Sequence, residues 1–329
     1  MEAKRVERIL TLVDEQIIRT LLYYDIFNYP LKSEEIIRFL GIPAISHSVF
    51  VSRINFLKEQ KIIFQFGNFF SLKDNMAFIE RRIKGNREAE KFLLLAAKKA
   101  RFISRFPFVR GVLASGSLSK GYMDENSDLD FFIITAPKRL WIARTLLVLY
   151  KRLFLFNAHK YFCVNYFVDE DHLEIEEKNL FTATELATVI PLYGVNQFEN
   201  LHQRNAWITD FFPNYEKRDV SNVPVSIPSI RKRLIEKCLG GWFGSYLEKY
   251  FRHKTLSRWK RLYEKDYSAS DFKVAFKSKS YAAKNHDKNF QRRVMDIYQD
   301  KLKSAGLNSN GQFNWASRSN STLVTGKLH

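Results

Sequence analysis

The chain is short of the residues that usually fasten a metal or a crosslink. Its two cysteines, Cys163 and Cys238, stand far apart in no metal-ligand spacing, and its seven histidines show no paired spacing either. That excludes a sequence-local zinc site and a disulfide framework, and it points to reduced thiols. Long apolar runs are also missing. Charges interrupt MEAKRVERILTLVDEQ throughout, unlike a secretory leader, and LWIARTLLVLYKRLFLF from Leu140 is broken by Arg144, Lys151 and Arg152, unlike a spanning helix. A cytoplasmic setting is therefore expected, with a membrane disfavoured as partner. No internal repeat is present.

Acidic residues are scarce at one end. The formal charge is +18, and from Arg231 to His329 there are 22 Lys and Arg against 8 Asp and Glu. The basic character thus belongs to the C-terminal third. Such a surface attracts polyanions by counterion release, which makes nucleic acid a candidate partner; a solvated basic face is the plain alternative. At 46% apolar and 15% aromatic content the chain can build a sizeable core, and 329 residues exceed one ordinary domain of about 100–200.

The order of elements predicts an α/β chain of the α+β kind with five regions. Residues 1–75 read as three helices and a hairpin. EQIIRTLLYYDIF has helical spacing, Ser33 caps SEEIIRFLG, and HSVFVSRINFLKEQ carries Val49, Ile54 and Leu57 toward a core. KIIFQFG and NFFSLKD then form two strands about Gly67-Asn68. Helix, helix, helix, hairpin is the order of a winged helix. Its third helix offers few basic residues, Arg53 and Lys58 beside His47, so DNA recognition and protein docking are both open.

Residues 76–107 read as one charged linking helix. Residues 108–180 alternate strand VRGVLAS, a Gly-Ser turn, strand DLDFFIIT, a helix, strand KYFCVNYFV and a short strand LEIE. Residues 181–303 predict a basic helical region, with TATELATVIPLYG and ENLHQRNAWITDFFPN as helices and a last helix from about Ser280 to Leu302. Residues 304–329 are polar enough for a loosely ordered tail.

Within residues 108–180, Gly116-Ser117 precedes Asp128-Leu129-Asp130-Phe131 by a gap of ten residues. On a strand, residues two apart send their side chains to one face, so the two carboxylates can grip cations from one rigid element. Gly116 lets the backbone come close to a bound group, and the Ser117 hydroxyl can donate to it. Lys120 is a further phosphate contact or a plain loop lysine. A surface hairpin with an Asp-rich turn would read similarly, although flanking strands on both sides fit less well with that.

These residues, with Gly121 and the wording NSDLD, resemble the signature of the polymerase-beta-like nucleotidyltransferase superfamily, its minimal and antibiotic-modifying branches in particular. The resemblance covers about residues 108–176. It implies a core with a small mixed sheet that binds a nucleoside triphosphate (NTP) and two Mg²⁺, held by Asp128 and Asp130, with Gly116, Ser117, Lys120 and Gly121 around the triphosphate. The implied reaction moves a nucleoside monophosphate to an acceptor that the sequence does not identify. A metal pair about 4 Å apart would stabilise both attacking and leaving oxygens.

Members of the superfamily usually carry a third acid on a later strand. Here that strand offers Asn165, whose carbonyl can ligate weakly but cannot act as a base. Asp169, Asp171, Glu174 or Glu176 could replace it under another strand register. The departure leaves a second expectation open, a catalytically impaired nucleotide-binding or nucleic-acid-binding regulator using the winged helix and the basic C-terminal helices.

Three further groups of residues stand out. Cys163 would share a side with Asn165 as a pocket wall. Glu185 and Asn205 are polar positions in apolar helices, serving substrate or core hydrogen bonding. Trp242, Tyr246, Trp259 and Tyr263, set among lysines and arginines, suit base stacking, a lipid headgroup layer or ordinary helix packing.

Overall fold

The computed structural model describes residues 10–43, 45–154, 160–267, 276–284 and 290–307, together with Phe272. In chain order the elements are α1 (Leu12–Asp25), β1 (Leu31–Lys32), α2 (Ser33–Arg38), α3 (His47–Glu59), β2 (Phe64–Phe66), β3 (Phe69–Ser71) and α4 (Met76–Ile103). Next come β4 (Val109–Ala114), α5 (Gly116–Ser119), β5 (Asp130–Thr135), α6 (Leu140–Phe154), β6 (Cys163–Asp169), α7 (Leu180–Thr188) and β7 (Ile190–Tyr193). The series closes with α8 (Val195–Arg204), α9 (Ile208–Phe211), α10 (Ile230–Cys238), α11 (Trp242–Tyr263), β8 (Ala282–Lys284) and α12 (Phe290–Ser304). The chain is mixed α/β with two small sheets. No helix among the described residues is long and apolar enough to cross a membrane.

The chain divides into two compact units. The first gathers three stretches, residues 1–84, 207–216 and 291–329. Thr11 starts α1 with a reciprocal capping box to Asp14, and Ser46 caps α3 through Val49 N–H. Strands β1, β3 and β2 form an antiparallel sheet in that order. Ile17, Leu31, Ile36, Leu40, Phe50 and Leu57 fill the core. The helical phase of α3 differs from the sequence reading: Val49 is 43% exposed and Phe50 is buried. Phe50, Ile54 and Leu57 recur at i, i+4 and i+7, and a neighbour one residue away is rotated by about 100°, off that face.

The later stretches complete this unit. Phe212 stacks edge-on against Phe39 at 5.2 Å, and Asn214 Nδ2 donates to the carbonyls of Ile37 and Ile42. From α12, Tyr298 meets Tyr23 ring to ring at 5.7 Å and Lys301 pairs with Asp25 at 2.6 Å.

The second unit, residues 85–206 and 217–290, holds a five-stranded sheet in the order β7-β4-β5-β6-β8. Only β5 and β6 run parallel, joined through α6; every other pair is antiparallel. Strand β5 is buried on both faces, with Phe131 and Ile133 in the main core under α6 and Phe132 and Ile134 on the other side. Trp141 on α6 and Trp259 on α11 pack in the same core. Glu248 of α11 accepts from the amides of Trp141 and Ile142, a carboxylate placed at the positive end of α6.

Three segments differ from the sequence reading. The stretch 180–193 is not one helix: α7 ends at Thr188 and Ile190–Tyr193 is edge strand β7 on β4. Pro191 cannot donate within a helix, and Val189-Ile190 prefer extended backbone. Residues 173–176 form no strand. Asn205, fully buried, takes the ladder's place by accepting from Ile175 N–H and donating to the Leu173 carbonyl, which settles its role as core hydrogen bonding. The last helix begins at Phe290, because Ala282–Lys284 pairs with β6 as a strand. Of the tail expected over residues 304–329, residues 308–329 lie outside the described residues.

Candidate functional site

Strand β4 ends at Ala114 and the chain turns at Gly116 into the single-turn helix α5. Gly116 has φ +63°, and a methyl group there would overlap Asp130 Oδ2. Glycine is therefore required twice, by backbone conformation and by close approach. Ser115 N–H donates to the Asp130 carbonyl at 3.0 Å, fixing the turn against the start of β5. The Gly-Ser turn and Asp130, parted in sequence by the intervening loop, meet at the edge where β4 and β5 begin to pair.

Asp130 is the first residue of β5, and Asp128 stands just before the strand. The Asp130 carboxylate accepts from Asn165 Nδ2 at 2.8 Å, and Asn165 Oδ1 accepts from Cys163 Sγ at 3.0 Å. Cys163 thus lies beside Asn165 as the alternation predicts. The β5-β6 register slips by one at this point: Phe131 pairs with Val164 and Phe132 with Tyr166, leaving Asn165 as the extra residue of a bulge. The bulge aims Asn165 at Asp130 and still returns Phe167 to the main core beside Ile133.

Burial pushes the Asp130 carboxyl up to about 7, with the negative charges of Asp128 and Glu185 adding to the effect and Cys163 and Lys120 opposing it. Burial and the Asp130 charge likewise push the Cys163 thiol up to about 12, so it is no nucleophile at neutral pH. Lys120 Nζ donates to Glu185 Oε1 at 2.7 Å and to the Gly116 carbonyl at 3.1 Å. Glu185 comes from α7, and its only sequence signal was a lone acid in an apolar helix. Gly121, φ +70°, ends the α5 turn by donating to the Leu118 carbonyl and accepting from Asn86. The Ser117 carbonyl accepts from the amides of Lys120 and Tyr122.

The downstream acids do not reach this cluster. Cys163 pairs with Asp130 and Asp169 pairs with Thr135, at opposite ends of β6 and about 20 Å apart by strand rise. Asp169 binds His172, Glu174 binds Lys178, and Glu176 binds Lys279 and Tyr281, which hold its pKa down to about 2. Asp171 is exposed on the turn beyond the strand.

Elsewhere, α3 spends its basic residues inside its own unit: Arg53 pairs with buried Asp14 and Lys58 donates to Gln65 at 2.6 Å. Of the four C-terminal aromatics, Trp259 is core, Tyr263 stacks on Phe276 at 4.7 Å, and Trp242 and Tyr246 are exposed. Among the described residues no three His, Cys, Asp or Glu side chains converge as a metal-binding group, and both cysteines are free thiols.

No family model, no curated protein and no solved structure matches this chain.

Proposed function

We propose that the second unit is a nucleotidyltransferase domain that binds an NTP with Mg²⁺ at the Gly116–Asp130 cluster and passes the nucleoside monophosphate to an acceptor oxygen, the bond between the α- and β-phosphates breaking and pyrophosphate leaving. The observation that carries this reading is the pairing of a left-handed Gly116 with a carboxylate pushed up to about 7 beside a second one, Asp128. Burial is the main cause of that rise, with the Asp128 charge adding to it, and a divalent cation bound there would favour the ionised carboxylate.

The donor set fits Mg²⁺ that arrives with its nucleotide. Magnesium is commonly held by one or two carboxylates with phosphate oxygens and waters completing its shell, so two aspartates suffice where no all-protein cage exists. Asp128 and Asp130 would hold it. When bound, it supplies neutralisation of charge on the transferring phosphate. The chain's own residues do the remaining work. Gly116 admits the phosphates to the backbone, the Ser117 hydroxyl donates to them, and Lys120, close to both Gly116 and Glu185, adds a positive charge. The turn closed by Gly121 holds these groups in place.

Asn165 acts by positioning, since its amide fixes one Asp130 oxygen and leaves the other toward Gly116. Glu185 is the carboxylate beside Lys120 able to take a proton from an acceptor hydroxyl. The order of three helices and a hairpin supports a winged-helix reading of the first unit. With Arg53 and Lys58 engaged internally, protein docking is the use we favour for it over DNA recognition.

Isothermal titration with ATP, GTP, CTP and UTP plus Mg²⁺ tests the proposal. The expected result is Mg²⁺-dependent binding of at least one nucleotide, lost in Asp130→Asn. A wild-type chain that binds none of the four sinks it.

A further inference from the structure

Helix α10 is turned inside out. Soluble helices bury their apolar stripe and expose their charges, but here Lys232 and Glu236 face inward. Lys232 Nζ donates to the carbonyls of Ser104 and Val109 at 2.8 and 2.6 Å, and Glu236 forms a two-point pair with Arg110 and accepts from the Phe108 amide. Ile230, Leu234 and Ile235 are left outside, at 77, 59 and 46% exposure. Four-residue spacing sets Ile230, Leu234 and Cys238 on the outward side.

The exposed surface continues into α11. Trp242 is 83% exposed at its start, and Tyr246 and Tyr250 follow at one-turn intervals with their rings stacked. The other side of α11 packs down through Gly244, Glu248 and Trp259. Charge along this surface has one sign. From Ile230 to Tyr263 the only acids are Glu236 and Glu248, both spent on interior partners, and the exposed charges are all basic, Arg233, Lys237, Lys249 and Arg252 among them.

We propose that the outward faces of α10 and α11 form a docking surface for an anionic phospholipid bilayer, with Ile230, Leu234 and Trp242 entering the headgroup boundary and the surrounding Lys and Arg meeting lipid phosphates. Ile230, Leu234 and Ile235, exposed beside aromatic and basic residues, favour a lipid surface, where aliphatic side chains leave water at the headgroup boundary, over a single-stranded nucleic acid, which is held by stacking and positive charge. The contact lies on the bilayer and does not cross it. Read linearly, these helices show no long amphipathic face. The inward turn of Lys232 and Glu236 creates one, and it stands apart from the nucleotide site.

The test is co-sedimentation of the full chain with vesicles of phosphatidylcholine alone or containing phosphatidylglycerol, read with tryptophan emission. Binding is expected only with phosphatidylglycerol, with a blue shift absent in Trp242→Phe. Leu234→Glu, exposed and therefore folding normally by circular dichroism, should weaken partitioning about ten-fold. Asp130→Asn should bind vesicles as wild type does, keeping this result separate from the nucleotide proposal. Failure to bind phosphatidylglycerol vesicles overturns the proposal, as does a Leu234→Glu chain that binds them undiminished. It is equally overturned if vesicles are ignored while the same substitution dissolves a dimer or abolishes binding to single-stranded RNA.

Discussion

Asp130 is a buried carboxyl held beside a second one, Asp128. Its folded pKa of about 7 lies above the ordinary aspartate value of 3.8, so the folded chain keeps a proton that the unfolded chain releases. This contribution to stability is complete below pH 4 and is lost as pH rises through 7. Asp130→Asn, which cannot ionise, should therefore be more stable than wild type at pH 8 by about 2–4 kcal/mol and equal to it near pH 4. Urea midpoints at the two pH values in EDTA check this, and the same variant should bind no NTP. Gly116→Ala meets positive φ and the Asp130 carboxylate together, and should lose about 1–3 kcal/mol along with nucleotide binding. Glu185→Gln should keep binding and lower transfer about 100-fold, measured as single-turnover rate with saturating NTP.

At the scale of elements, helix α6 depends on a residue more than a hundred positions away. Glu248 of α11 accepts from the Trp141 and Ile142 amides at 2.6 and 2.9 Å, completing the first turn of α6 in a place water does not reach. Glu248→Ala should cost about 2–3 kcal/mol in urea unfolding, because two buried amides lose their acceptor. Helical periodicity made α1, α3 and α4 legible in the sequence, and the turn at Gly67-Asn68 did the same for the β2-β3 hairpin. Strand β7 and strand β8 were not, because short strands at a sheet edge owe their conformation to the neighbour they pair with rather than to their own pattern. The bulge at Asn165 was equally hidden. A single slipped register leaves no mark on local composition, yet it decides where that amide points.

At the scale of the whole molecule, the first unit is assembled from the start, middle and end of the chain. Val294, Tyr298 and Leu302 of α12 are buried, and Tyr298 and Lys301 meet Tyr23 and Asp25. A chain truncated after residue 289 should therefore lose amide protection across α1, read by hydrogen exchange, while the second unit's β5 stays protected.

Local sequence determined the helices with clear stripes and caps, the basic character of the C-terminal third, and the spacing of Gly116, Asp128 and Asp130, since each is written in neighbouring residues. Tertiary structure alone decided that Asn165 and Glu185, with Lys120, surround Asp130, that the acids after β6 lie at the wrong end of the strand, and that α10 faces its leucine and isoleucines outward. Those outcomes depend on register, burial and long-range pairing, in which a residue's partner comes from a distant segment and no local pattern names it.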